Sequence, residues 1–161
     1  VVILPDSGSR YLSKFYDDKW MREFGFLSME FGETALADLL LAKPNKMLQT
    51  AALGDSIRKV VSVMHQNAVS QMPVVSADGS LVGLIEEVDL LNHMLEEHDH
   101  SNDEKIDALI QNAGAVFPPE TPLEDAMPSL TSGYALIVVE HSKPIGILTK
   151  IDVLDYVAGK I

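Results

Sequence analysis

One pattern occurs twice in this chain at a fixed spacing. Gly83-Leu84-Ile85-Glu86-Glu87-Val88-Asp89-Leu90-Leu91 and Gly146-Ile147-Leu148-Thr149-Lys150-Ile151-Asp152-Val153-Leu154 lie 63 residues apart. Each has a glycine, apolar residues and an aspartate at matching places. Self-similarity of this kind points to a duplicated supersecondary unit of about 60 residues, which constrains the fold more than any composition figure does. Ahead of the second copy stand two apolar runs, Ala135 to Val139 and Ile145 to Leu148. Behind it Ile151, Leu154 and Ala158 recur at helical spacing. The pattern therefore reads strand, turn, strand, helix, with Thr149 at the strand-to-helix junction. A threonine there can cap the helix, and its hydroxyl can face an anion held at the helix N-terminus. Asp152, one turn further in, can accept two hydroxyls of a sugar. Gly146 allows another group to approach the backbone closely.

The first copy repeats the order. Met47 to Gln49 is expected as a short strand. Asp55 or Ser56 caps a helix whose Ile57, Val60, Val61 and Met64 form a buried face. Met72 to Val75 and Leu81 to Ile85 pair across a turn of Asp-Gly type, Ala77-Asp78-Gly79-Ser80. Val88, Leu91 and Leu95 line the next helix. In the second copy Val116-Phe117 is the first strand and Pro122 to Leu130 the first helix. Thr121 is its cap, Pro122 its first residue, and Pro128 is expected to cut it short. Between the copies Glu96 to Glu104 is strongly charged. His93, His98 and His100 among carboxylates suggest a metal site, but a solvated linker is the better reading.

Other features narrow the class. The formal net charge of −12 disfavours nucleic acid and anionic membranes, whose phosphates would be repelled. There is no cysteine, so a disulfide framework is excluded and a cytoplasmic setting is the default. No apolar run of about 18 residues exists to span a bilayer. The chain opens on Val1 inside a strand-like run, Val1 to Leu4, and is read as cut from a longer protein without a signal peptide.

Each copy resembles a CBS domain, whose sequence mark is Gly-apolar-x-Thr/Ser-x-x-Asp after the last strand. Two in tandem resemble a Bateman module. The words Val-Val-Ile-Leu-Pro-Asp-Ser (Val1 to Ser7), Tyr-Leu-Ser-Lys-Phe (Tyr11 to Phe15) and Asp-Asp-Lys-Trp-Met (Asp17 to Met21) are similar to the last strand and helix of the catalytic domain in the cystathionine β-synthase family. The resemblance implies an α/β (α+β) fold, a tandem pair in which each copy is a small β-sheet with helices on one face. It divides the chain into a catalytic-domain remnant at 1–27, a linker at 28–42, CBS copies at 43–97 and 106–161, and a linker at 98–105. The helix-forming stretch Thr34 to Leu41 is expected to dock on the module.

The resemblance also implies a role. The two copies enclose two clefts for adenosyl ligands, S-adenosylmethionine or AMP and ATP, in which aspartate holds the ribose and apolar residues sandwich the adenine. The better cleft combines Ile147, Thr149, Ile151 and Asp152 with Val69, Ser70 and Gln71, and has Pro44 and Asn45 at its edge. The second uses Asp89 with Glu86, Tyr134 and Ala135; there a carboxylate replaces the hydroxyl and would repel a phosphate. Aspartate in a first helical turn is also simply favourable in the helix dipole, by about 0.3–1 kcal/mol. The parent enzyme would use pyridoxal phosphate, but neither its Schiff-base lysine nor its phosphate loop is recognisable, so no cofactor and no catalytic residue is expected here. Lys14 and Lys19 read as solvated. The expected partners are the adenosyl ligand, the parent's catalytic domain, and a second copy of the chain, met through the Ile57, Val61, Met64 face and the helix with Leu91 and Leu95. An assembly module without ligand and an active pyridoxal enzyme are the competing readings.

Overall fold

The computed structural model describes residues 34–44, 47–96 and 104–159. The remnant assigned to 1–27, Asn45, His98 and His100 lie outside them. The first half holds β1 (Ala51–Ala52), α2 (Ile57–Asn67), β2 (Gln71–Val75), β3 (Leu81–Glu86) and α3 (Glu87–Glu96), preceded by α1 (Leu36–Ala42). A 3-10 turn, Ile106–Leu109, leads to β4 (Val116–Phe117), α4 (Leu123–Thr131), β5 (Leu136–Glu140), β6 (Lys143–Leu148) and α5 (Lys150–Ala158). Each half has a three-stranded sheet in the same order, β1-β2-β3 and β4-β5-β6. The first pair is parallel and the second antiparallel in both. Both hairpins shift register at the same place, after Val74 and after Val138. The expected α/β architecture and its duplication are therefore present in the backbone.

The two turns solve one geometric problem differently. In the first, Asp78 accepts from the Ser80 hydroxyl at 2.9 Å and Gly79 takes φ +85°. The second has no glycine, and His141 (φ 49°) and Ser142 (φ 67°) both adopt left-handed backbone, as a two-residue hairpin of the type I′ class requires. The tips meet where Leu81 N–H donates to Ser142 O at 2.8 Å.

The copies exchange their lead-in segments. Leu36 and Leu39 of α1 are buried in the second core with Leu123, Leu130, Leu136, Val138 and Leu148. Ile106 is buried in the first core with Val60, Met64, Met72, Val74, Ile85 and Leu90. Backbone bonds fix both exchanges. Leu36 N–H donates to Thr121 O at 3.0 Å and Leu123 N–H to Thr34 O at 2.8 Å. Ile57 N–H donates to Glu104 O at 2.9 Å and Ile106 N–H to Asp55 O at 3.1 Å. A half this short buries too little apolar surface by itself, and each takes part of its core from its neighbour. Thr34 to Leu41 does dock, on the second copy.

Several local expectations are corrected. Residues 47–49 are not a strand; Ala51–Ala52 is, because parallel pairing with Val74 and Val75 sets the position. Helix α4 starts at Leu123, with Pro122 as its extended cap, while Thr121 gives its carbonyl to Leu36. Pro128 does not end α4, which continues to Thr131. Pro128 and Glu124, whose carbonyl loses its donor, are exposed, so water can serve that carbonyl, while Ala126 and Leu130 hold the helix on the core. Ser56 is confirmed as a cap, accepting from Lys59 N–H. Of the α2 face, Val60 and Met64 are buried but Val61 is 40% exposed. On α3 the buried residue is Leu90, while Val88, Leu91 and Leu95 face outward. The outer apolar residues of both helices are thus left exposed among the described residues.

Candidate functional site

The motif glycines mark where the exchanged segments lie. A Cβ on Gly83 would overlap Gln111 O and the Ile110 side chain. A Cβ on Gly146 would overlap the Leu40 side chain of α1. Their first use is thus close packing of the neighbouring copy's lead-in.

Behind Gly146, β6 runs through Ile147 and Leu148 into α5, and Thr149 is the cap. Asp152 is the third residue of α5, and its Oδ2 accepts from the Thr149 N–H and the Thr149 hydroxyl, each at 2.7 Å. A carboxylate reaching back to the cap N–H satisfies a donor the helix leaves open. Lys43, just after α1, completes the cluster. Its Nζ lies 3.1 Å from Asp152 Oδ1, 3.1 Å from Oδ2 and 3.0 Å from Ile147 O. The Lys43 and Asp152 side chains are only 22% and 12% exposed, so this ion pair is partly screened from water.

Two cavities flank Lys43, and it lines both. One, of about 410 Å³, lies between α1 and the start of β6, with Leu40, Met47, Leu48, Glu140 and Ile147 in its wall. The other, of about 330 Å³, is bounded by Pro44, Asp152, Asp155 and Tyr156. These sizes suit small ligands. Lys43 is the residue that sequence reasoning missed. It lies in the polar run Lys43-Pro44-Asn45-Lys46, read only as the opening of the first copy, and nothing local distinguishes it from a solvated lysine. A clue existed in the neighbouring Pro44, already assigned to the cleft edge.

The remaining candidates divide. Ile147, Thr149, Asp152 and Pro44 are gathered around Lys43. Ile151 is 58% exposed. Val69 and Ser70 line a third cavity of about 550 Å³ with Val61, Leu91 and Met94. Gln71 is paired in the sheet with Glu86 of the other candidate set. In the first copy Asp89 is the third residue of α3, matching Asp152, and Glu86 closes β3 where Thr149 follows β6. Ser70 O accepts from Glu87 N–H at 2.8 Å. Tyr134 is half-exposed with its ring against Gly114, and Ala135 is half-buried just before β5. His93 Nε2 lies 2.7 Å from Glu104 Oε1, tying α3 to the segment that enters the first core. Among the described residues no three histidines or carboxylates converge on a metal position, and no helix is long and apolar enough to cross a membrane.

The CBS domain model matches residues 38–96 and 115–159. This chain belongs to the CBS domain family. As a tandem CBS pair it is similar to the cystathionine β-synthase of Saccharomyces cerevisiae, at 27% identity over 98% of this chain and 38% of that protein. The mouse cystathionine β-synthase is 32% identical over 65% of this chain and 19% of its own length. The chain therefore spans well under half of these relatives. Among solved structures, CBSX2 in complex with AMP aligns at 25% identity and TM-score 0.64, covering 78% of this chain and 97% of that one. The CBS pair of MJ0100, solved with 5′-methylthioadenosine and S-adenosylmethionine, aligns at 21% identity and TM-score 0.65, covering 80% and 98%; at that identity it shows the fold alone. The CBS pair is a regulatory type of module.

Proposed function

We propose that this CBS pair is the regulatory part of a cystathionine β-synthase-like transsulfuration enzyme, and that it binds an adenosyl ligand in the cleft around Thr149 and Asp152. The observation that carries the reading is Asp152 itself. It is a carboxylate at a helix N-terminus, bound to its threonine cap, lining one cavity of ligand size and paired with Lys43, which also lines the neighbouring one. The adenine would lie on apolar wall such as Ile147; at ~25 cal/mol per Å², burying ~100 Å² contributes about 2.5 kcal/mol. Ribose hydroxyls on Asp152 would supply orientation more than affinity. Pyridoxal phosphate chemistry belongs to the parent's catalytic domain, which the ligand state of the pair would control from a cytoplasmic enzyme.

Calorimetric titration of the chain with AMP, ATP and S-adenosylmethionine tests this. Saturable heat with at least one of them is expected, together with its loss in Asp152→Ala. Equal binding by Asp152→Ala would remove the site assignment.

A second reading, an assembly module that only dimerises, is favoured by one observation. Val61, Val88, Leu91, Met94 and Leu95 are all at least 40% exposed on the outer helices. It predicts self-association with no heat from any adenosyl compound.

A further inference from the structure

Asp152 has too little acceptor capacity left for a diol. An ionised carboxylate offers about four acceptor directions on its two oxygens. The Thr149 N–H and hydroxyl take two on Oδ2, and the Lys43 ammonium lies 3.1 Å from each oxygen. That leaves about one direction, on Oδ1, and a ribose diol arriving at Asp152 needs two. The Thr149 bonds belong to the helix cap and stay with the fold. Lys43 is the contact that can leave, because it sits on a flexible four-carbon stem outside the helices.

What Lys43 does on leaving decides which ligands can profit. Its pair with Asp152 is partly screened from water, so an ammonium released without a new anion is costly. The other charged groups lining the two cavities are all carboxylates, Glu140 on one side and Asp155 on the other. Among the described lining residues Lys43 is the cation. A phosphate attached to the same ribose gives Lys43 a replacement partner at short range. A ribose with no anion brings Lys43 no replacement beside Asp152 and leaves it only the wall carboxylates Glu140 and Asp155. A sulfonium brings a like charge to it, and like charges at close range disfavour each other.

We propose that Lys43 is the selectivity residue of this cleft: it occupies the ribose-binding carboxylate in the free chain and yields it preferentially to phosphorylated adenosines. This rests on the adenosyl-binding reading above. Lys43 acts as latch and as phosphate contact in turn, so the same residue lowers affinity for adenosine and raises it for AMP. Without it, the cleft keeps Asp152, Asp155 and Glu140 and becomes an anionic site suited to a cationic ligand.

The test is calorimetric titration of the whole chain with AMP, adenosine and S-adenosylmethionine, for wild type, Lys43→Met and Lys43→Arg. Methionine keeps the apolar stem without the charge, and thermal melts report folding. The ratio of affinities within one variant is insensitive to the folded fraction. Wild type is expected to bind AMP at least about tenfold tighter than adenosine or S-adenosylmethionine. Lys43→Met should lose most of the AMP preference, bind adenosine at least as well as wild type, and gain for S-adenosylmethionine. Lys43→Arg should keep the wild-type order. If adenosine and AMP bind wild type equally, or Lys43→Met leaves the AMP-to-S-adenosylmethionine ratio within twofold, Lys43 is not the selector, although adenosyl binding stands. If none of the three compounds binds any variant, the adenosyl-binding reading fails and takes this inference with it.

Discussion

Replacing the two motif glycines by alanine should have unequal effects, and the inequality follows from what each Cβ would meet. At Gly83 the obstacle is the backbone oxygen of Gln111, with the Ile110 side chain beside it. Gln111 also exchanges two backbone bonds with Leu84, 2.9 Å from Leu84 N to Gln111 O and 2.8 Å from Gln111 N to Leu84 O. Main chain cannot rotate away as a rotamer can, so Gly83→Ala must push the segment after the 3-10 turn off β3. Losing two such bonds costs about 1–3 kcal/mol at about 0.5–1.5 kcal/mol each. Overpacking adds about 1–3 kcal/mol. The stiffer unfolded chain offsets about 0.4–1 kcal/mol, leaving a net loss near 3 kcal/mol. At Gly146 the obstacle is the far end of Leu40, a partly buried side chain that can change rotamer. Gly146→Ala should therefore cost only about 0–0.6 kcal/mol, with overpacking at its lower limit of about 1 kcal/mol less the same offset. For a chain of this size about 1 kcal/mol moves the melting temperature by roughly 2–4 °C. Thermal melts should put Gly83→Ala about 6–12 °C below wild type and Gly146→Ala within about 4 °C. Adding Leu40→Ala to Gly146→Ala should make the pair less than additive, because the overlap is gone. If Gly83→Ala melts with wild type, or Gly146→Ala is the more damaging, the close-approach account of these glycines is refuted.

Acid should weaken the fold through two carboxylates. Burial pushes Asp55 up, but the Lys59 hydrogen bond, the Ala52 N–H and the charges of Lys59 and Lys105 outweigh it and hold the group below its ordinary 3.8. The Ser76 and Ser80 hydroxyls and the Ser80 N–H bring Asp78 down to about 2. Both folded values lie below the unfolded one, so the stabilisation is complete above about pH 4 and fades as pH falls toward 2. Asp55→Asn and Asp78→Asn should each melt below wild type near pH 6, with the gap closing near pH 2; a gap independent of pH would contradict this. Glu86→Thr should create or strengthen an AMP site beside Asp89, read as a rise in calorimetric stoichiometry; an unaltered stoichiometry would show that the Glu86 charge is not what separates the two copies. Leu91→Glu with Leu95→Glu should shift the chain toward monomer by light scattering if the outer helices are the self-association face. An unchanged mass would remove that face from consideration.

The duplication, the strand-turn-strand-helix order and the family were legible in the sequence, because a periodic apolar pattern and a repeated Gly and Asp are local marks that survive without contacts. Ser56 as a cap and Asp78-Gly79 as a turn were legible for the same reason: each is decided by residues a few positions apart. The exchange of lead-ins was not. Leu36 in the second core and Ile106 in the first are choices between two similar apolar surfaces, and only the packed pair decides which surface each segment covers. The same holds for α3, where periodicity selects a stripe but only the sheet beneath decides that Leu90 rather than Leu91 is inside. The site divides along the same line. Asp152 and Thr149 are three residues apart and belong to one helix end, so their partnership could be read from spacing. Lys43 reaches Asp152 across 109 positions of sequence. A lysine's partner depends on where a flexible ammonium ends up in space, and that was settled only when α1 docked on the opposite copy.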